Sequence, residues 1–206
     1  MRPAGSSLVH DPLSDLSIGC AAVRDAADAL GLRFALVGGF AVSVRAEPRF
    51  TRDVDLVVAA DDDSTAESLV RLLLEAGHTL LSNVEQEAVG RLATSRIQLE
   101  GGELVDVLFP SSGIEHEVAQ DAERIEVLPG LDIPVARVGH LITLKLLSRD
   151  DTTRPQDVGD LRALIAVASD DELERAQGAA QLIAARGYSR GRDLTADLAA
   201  LVTESA

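Results

Sequence analysis

Tryptophan is absent from this 206-residue chain, and four phenylalanines and one tyrosine are its only aromatics. A core built from such a chain must be made of Leu, Val, Ile and Ala. Apolar residues still make up 46% of the sequence, enough to exclude wholesale disorder. A single cysteine, Cys20, excludes an internal disulfide, and a reducing cytoplasm is the expected setting. No run of about 18 apolar residues occurs, which argues against a membrane-spanning helix. The start, Met1 to Leu8, has no apolar stretch behind a basic end, so a secretory leader is not expected. Lysine is nearly missing as well: Lys145 stands alone, and the remaining eighteen basic residues are arginine. The formal net charge is −15, which weighs against a general nucleic-acid binder that gains affinity by neutralising phosphates.

What is present reads as an α+β chain, a mixed β-sheet with helices followed by a C-terminal helical region. Residues 1–12 are polar and hold two prolines, as in a loose arm. Leu16, Cys20, Val23, Ala27 and Leu30 recur at helical spacing before Gly31. A short apolar strand "RFALVGG" leads into a helix "FAVSVRAE", which closes before Pro48. "VDLVV" reads as the next strand. "DDDSTAESLVRLLLEAG" has a capped start and a terminal glycine and reads as a helix. "HTLLSNV", "RLATSRIQLE" and "ELVDVLF" read as strands, the last two joined in a hairpin at Gly101-Gly102. A short helix "IEHEVAQDA" and two strands around Pro129-Gly130 complete the sheet. From about Ala136 every segment is helical, so the expected boundaries are a core over 1–136 and a helical region over 137–206.

The chemistry concentrates in "LVGGFAVSVRAEPRFTRDVDLVV". Alternate strand residues share a face, so Asp53 and Asp55 project together while Val54 and Leu56 face the core. Two carboxylates that close repel, and a hard divalent ion removes the conflict. Such an ion usually keeps waters and takes substrate phosphate oxygens, so the pair implies a phosphorylated substrate. Gly38-Gly39, between a strand and a helix start, lets a phosphate approach backbone N–H groups. Asp106, amid Val105, Val107 and Leu108, is either a third ligand and base or a strand acid paired with an arginine. Lys145, among leucines, is either a snorkelling side chain or a charge for phosphates. His140 and Cys20 read as structural.

Together, Gly38, Gly39, Asp53, Asp55 and Asp106 resemble the signature of the nucleotidyltransferase superfamily, which includes polymerase-β-like enzymes. Within it, Arg49, Thr51, Asp53 and Asp55 are similar to the Arg-x-Thr-x-Asp-hydrophobic-Asp form of the AbiEii-like toxin branch. "LITLKLLSRDDTTRPQDVGDL" matches that branch's later helix through Lys145, Arg154, Asp157 and Asp160. The resemblance covers roughly Phe34 to Leu164. It implies a polymerase-β-like fold and a transfer of a nucleoside monophosphate from an NTP to a hydroxyl, with pyrophosphate released. Mg²⁺ would be held by Asp53, Asp55 and Asp106. Gly38, Gly39, Arg49 and Lys145 would hold phosphates, Thr51 and Arg52 would position the nucleotide, and Asp157 or Asp160 would orient Lys145. The implied acceptor is RNA, a tRNA 3′ end, in a toxin paired with an antitoxin. An RNA acceptor would call for a positive path through Arg45, Arg49, Arg52, Arg91, Arg96, Arg149 and Arg154. The acidic net charge leaves open a cationic small acceptor of the aminoglycoside type, and a non-catalytic nucleotide-binding regulator is the third alternative.

Overall fold

The computed structural model describes residues 12–48, 51, 53–86, 90–149 and 156–205. Its strands are β1 (Phe34–Val37), β2 (Val54–Val58), β3 (Thr79–Gln86), β4 (Arg91–Gln98), β5 (Leu104–Leu108), β6 (Glu123–Leu128) and β7 (Leu131–Val135). The helices are α1 (Pro12–Ala29), α2 (Gly38–Arg45), α3 (Asp63–Glu75), α4 (Glu115–Asp121), α5 (Val138–Ser148), α6 (Gln156–Val167), α7 (Asp170–Ala185) and α8 (Leu194–Ser205). The expected elements are therefore all present, and the order is that of an α+β protein. One boundary differs: α2 begins at Gly38 itself, so the two glycines open the helix instead of closing the strand. The expected loose arm falls almost entirely outside the described residues, and Pro12 already belongs to α1.

The strands form one mixed sheet in the order β3-β4-β5-β2-β1-β7-β6. β2 runs antiparallel to β1 and parallel to β5, and β5 runs antiparallel to β4. Alternation then sorts the side chains by face. Val54 and Leu56 of β2 stand beside Val105 and Val107 of β5, all fully buried. Helix α1 covers this apolar face, and Gly19 packs so tightly that a Cβ there would meet Val105 and Val54 at 3.0 and 3.2 Å. The opposite face of the same strands carries Asp55 and Asp106. Burying one face fixes the register of the other, because a slip of one residue would turn the valines outward. Cys20 lies in the apolar layer, and burial pushes its thiol up to about 12, so it stays protonated and inert.

Two features fix the helices that follow the sheet. Arg45, at the end of α2, donates to the carbonyls of Ala136 (3.0 Å) and Val135 (2.9 Å) and pairs with Glu123. At the start of α5, the Glu172 carboxylate of α7 accepts from the N–H of Gly139 (2.7 Å) and from Arg137 (2.8 Å). Gly139 lets the helices touch, since a Cβ there would lie 2.3 Å from the Glu172 carbonyl oxygen. Burial alone would push the Glu172 carboxyl up, but the Gly139 N–H and the Arg137 guanidinium outweigh it and hold it below its ordinary range. Burial lowers the His140 imidazole on the adjacent turn, so it is held neutral.

Both shifts have the same consequence for stability. A depressed carboxyl contributes stability above its unfolded value, and loses it as pH falls through the folded value. A depressed imidazole likewise loses stability as pH falls below its unfolded value, because the unfolded chain takes up the proton first. The thermal midpoint is therefore expected to fall in two stages on acidification, the first below 6.5 and the second below 4.5, the unperturbed values of the two groups. His140→Asn should flatten the first stage and Glu172→Gln the second. Thermal unfolding across pH measures this, and a profile unchanged by both variants would refute it.

Candidate active site

Gly38 is where the backbone and the acids meet. It takes φ +64°, a left-handed conformation in which side chains are strained. A Cβ there would also lie 1.9 Å from Asp55 Oδ2. The cause is the sheet: Val37, just before the turn, pairs with Asp55 across β1 and β2. The N-cap residue Val37 makes no side-chain cap hydrogen bond and the first turn holds no acid of its own, so the start of α2 lies beside the Asp55 carboxylate.

On its other side Asp55 pairs in register with Asp106 of β5. The two acids are thus neighbours on adjacent strands and on one face. Asp53 lies just before β2, exposed, with the Thr51 hydroxyl donating to its carbonyl at 3.4 Å. Gly38, Gly39, Thr51, Asp53, Asp55 and Asp106 all line one cleft of about 380 Å³, within the size range of small-molecule sites. Arg49, Arg52 and Arg154 lie outside the described residues.

Asp106 has a partner on its far side. Arg96 of β4 stands opposite it in the antiparallel register and grips it with both nitrogens, Nε to Oδ1 at 2.7 Å and Nη2 to Oδ2 at 2.6 Å. The hydrogen bond and charge of Asp106, with the fields of Asp53 and Asp55 behind them, raise the Arg96 guanidinium above its ordinary range. Asp106 thus pairs with an arginine, the second of its two sequence readings, and stands beside Asp55. As the side chains stand, no three carboxylate, imidazole or thiolate groups among the described residues are gathered around one point.

Lys145 enters the same cleft from α5, 14% exposed. Its ammonium is 2.8 Å from Asp157 Oδ1 and 2.8 Å from Asp160 Oδ2, both on α6 and nearly fully buried. The spacing of Asp157 and Asp160 puts both on one helix face. Asp157 reaches the cleft, and its Oδ2 finds no hydrogen-bond partner among the described residues. The ammonium is held between the two acids instead of projecting to solvent.

The cleft includes residues that the sequence reading passed over. Glu115, buried at the start of α4, accepts from four backbone N–H groups, those of Ser111, Ser112, Gly113 and Ile114, and so shapes the loop on one wall. Arg190 comes from the connection between α7 and α8. Of the arginines expected to form a positive path, Arg91 is tied to Asp63 and the Asp61 carbonyl, Arg45 to β6 and β7, and Arg96 lines the cleft.

The sequence matches the family described as "Nucleotidyl transferase AbiEii toxin, Type IV TA system" over residues 22–205. Among solved structures, the chain is similar to an antigenic nucleotidyltransferase-like protein from Paracoccidioides brasiliensis, with 21% identity and a TM-score of 0.52 over 92% of this chain and 93% of that one. It is also similar to the antibiotic-resistance factor ANT(2″)-Ia, with 15% identity and a TM-score of 0.55 over 89% of this chain and 100% of that one. At these identities the likeness is one of fold. No curated protein sequence matches the chain.

Proposed function

The chain belongs to the AbiEii nucleotidyltransferase toxin family, and from that premise we propose that it transfers a nucleoside monophosphate from an NTP to a hydroxyl of RNA, a tRNA 3′ end, with Mg²⁺ held by Asp53, Asp55 and Asp106. The observation that carries the reading is the register that sets Asp55 beside Asp106, directly under the Gly38 turn. Carboxylates on neighbouring strands suit a hard divalent ion, which is usually bound by one or two carboxylates together with substrate phosphates and not by a full protein cage. The ion would supply charge neutralisation at the phosphoryl group. The amides of Gly38 and Gly39 at the open start of α2 receive phosphate oxygens. Asp106 accepts the proton of the attacking hydroxyl. Lys145, with Arg49 of the motif, holds the phosphates in line, and Asp157 and Asp160 fix the direction of its ammonium. Thr51 and Arg52 position the nucleotide. The toxin works in the cytoplasm and is neutralised by a cognate antitoxin.

Asp106 cannot serve both Arg96 and an ion with the same oxygens. Arg96→Gln is therefore expected to tighten binding of Mn²⁺, without nucleotide, roughly two- to fivefold, the scale of a partly exposed ion pair. Free Mn²⁺ measured by electron paramagnetic resonance checks it, and unchanged or weaker binding counts against the competition.

The acceptor is tested by incubating the protein with each labelled NTP, Mg²⁺ and either total tRNA or an aminoglycoside panel. Label on tRNA with pyrophosphate release, weakening steeply with salt, is the expected result. A second reading, a cationic small acceptor, is favoured by the acids of the cleft: Asp53, Asp55 and Glu115 stand there, while Arg96 and Lys145 are already paired. Label on an aminoglycoside and none on RNA would put that reading in place of the first.

A further inference from the structure

The connection between α7 and α8 is fastened on both sides of one residue. Before it, Arg186 reaches the Gly113 carbonyl and pairs with Glu117 at 2.7 Å. The Tyr188 ring packs on Gly113 so closely that a Cβ there would lie 2.8 Å from its Cδ2. After it, Arg192 donates to the Arg149 carbonyl at 2.9 Å and stands 3.6 Å from Asp197. Between these anchors Arg190 takes φ 54°, the one positive φ of a non-glycine among the described residues. A backbone held in that region by its surroundings is a feature that gathers at functional sites.

Arg190 also differs from its neighbours in what it binds. It lines the cleft with Lys145 and Asp157. The other described cations that line the cleft are committed, Arg96 to Asp106 and Lys145 to Asp157 and Asp160. Arg190 makes no ion pair within the described residues. A planar, permanently charged fork, left unpaired in a substrate-sized cleft, matches phosphate oxygens.

We propose that Arg190 is a phosphate-binding residue, presented to the substrate by the strained, anchored turn between α7 and α8. The assignment rests on the nucleotidyl-transfer reading. The phosphate is that of the nucleotide or that of the acceptor strand, and the two are separable by ligand.

Binding of inorganic tripolyphosphate, a non-hydrolysable NTP and a short RNA is measured by calorimetry, with Mg²⁺, for the wild type and for Arg190→Gln, Arg190→Lys and Arg190→Gly. Arg190→Gln should weaken at least one of the three by about tenfold or more, the scale of a charge-assisted hydrogen bond. Arg190→Lys should recover part of the loss. Arg190→Gly should bind as weakly as the Gln variant, yet melt no lower than the wild type, because glycine adopts the turn without strain. Loss on tripolyphosphate and NTP assigns Arg190 to the triphosphate, and loss on RNA alone assigns it to the acceptor. A wild type that binds while all three variants match it overturns this assignment alone. A wild type that binds none of the ligands overturns the transferase reading, and this assignment with it.

Discussion

Asp55→Asn is expected to lower nucleotidyl transfer by about three orders of magnitude or more, the scale on which charge stabilisation at a phosphoryl centre acts, while the protein melts at the same temperature or higher. The two halves of this expectation have one cause. Asp55 stands beside Asp106 in register, and Asp53, just before β2, lines the same cleft. Gathering carboxylates costs stability, because like charges disfavour one another. Replacing one by its neutral isostere relieves that repulsion and keeps the side-chain shape under Gly38. The family's chemistry needs the charge, so function is lost where stability is not. Label transfer and thermal unfolding on the same preparation check both halves. Activity retained within tenfold would refute the role of Asp55. A large fall in melting temperature would instead make the carboxylate a structural partner of the Gly38 turn.

Much of this site was legible before any coordinates. Alternation along "RDVDLVV" places Asp55 away from Val54 and Leu56, and burial of the two apolar residues bears that out. The diglycine reads as a turn that admits a phosphate. The close approach of Gly38 to Asp55 adds a second need for glycine, and it depends on β1 pairing with β2, which no local pattern displays. The pairing of Arg96 with Asp106 was within reach: both lie five residues from Gly101 in the expected hairpin, so they face each other across it. The sequence reading weighed Arg96 as part of a path for RNA instead. The strand order, with β5 next to β2 and β7 next to β1, could not be read locally, since those contacts join residues far apart in the chain. Arg190 was invisible for the same reason. Its position depends on how α7 and α8 dock, and on Arg186, Tyr188 and Arg192, whose partners lie far away in the chain.

Lys145→Ala should both abolish transfer and destabilise the fold, by about 3–5 kcal/mol, the usual cost of removing one partner from a buried ion cluster. The ammonium is shared by Asp157 and Asp160, each at 2.8 Å and each almost wholly buried. Without it, two carboxylates on one face of α6 would be left against the apolar side of α5. Asp157 already has one oxygen without a hydrogen-bond partner among the described residues. For a chain of this size the destabilisation corresponds to a fall in melting temperature of roughly 10 °C. Loss of activity in this variant therefore says little by itself, and a charge-free variant separates the effects. Lys145→Met combined with Asp157→Leu and Asp160→Leu replaces the cluster as a unit by apolar side chains of similar volume, which is often neutral or stabilising. That variant should regain most of the melting temperature and none of the transfer activity. Thermal unfolding and label transfer measured side by side decide the matter. A Lys145→Ala protein as stable as the wild type would contradict the buried cluster, and activity in the charge-free variant would remove Lys145 from the chemistry.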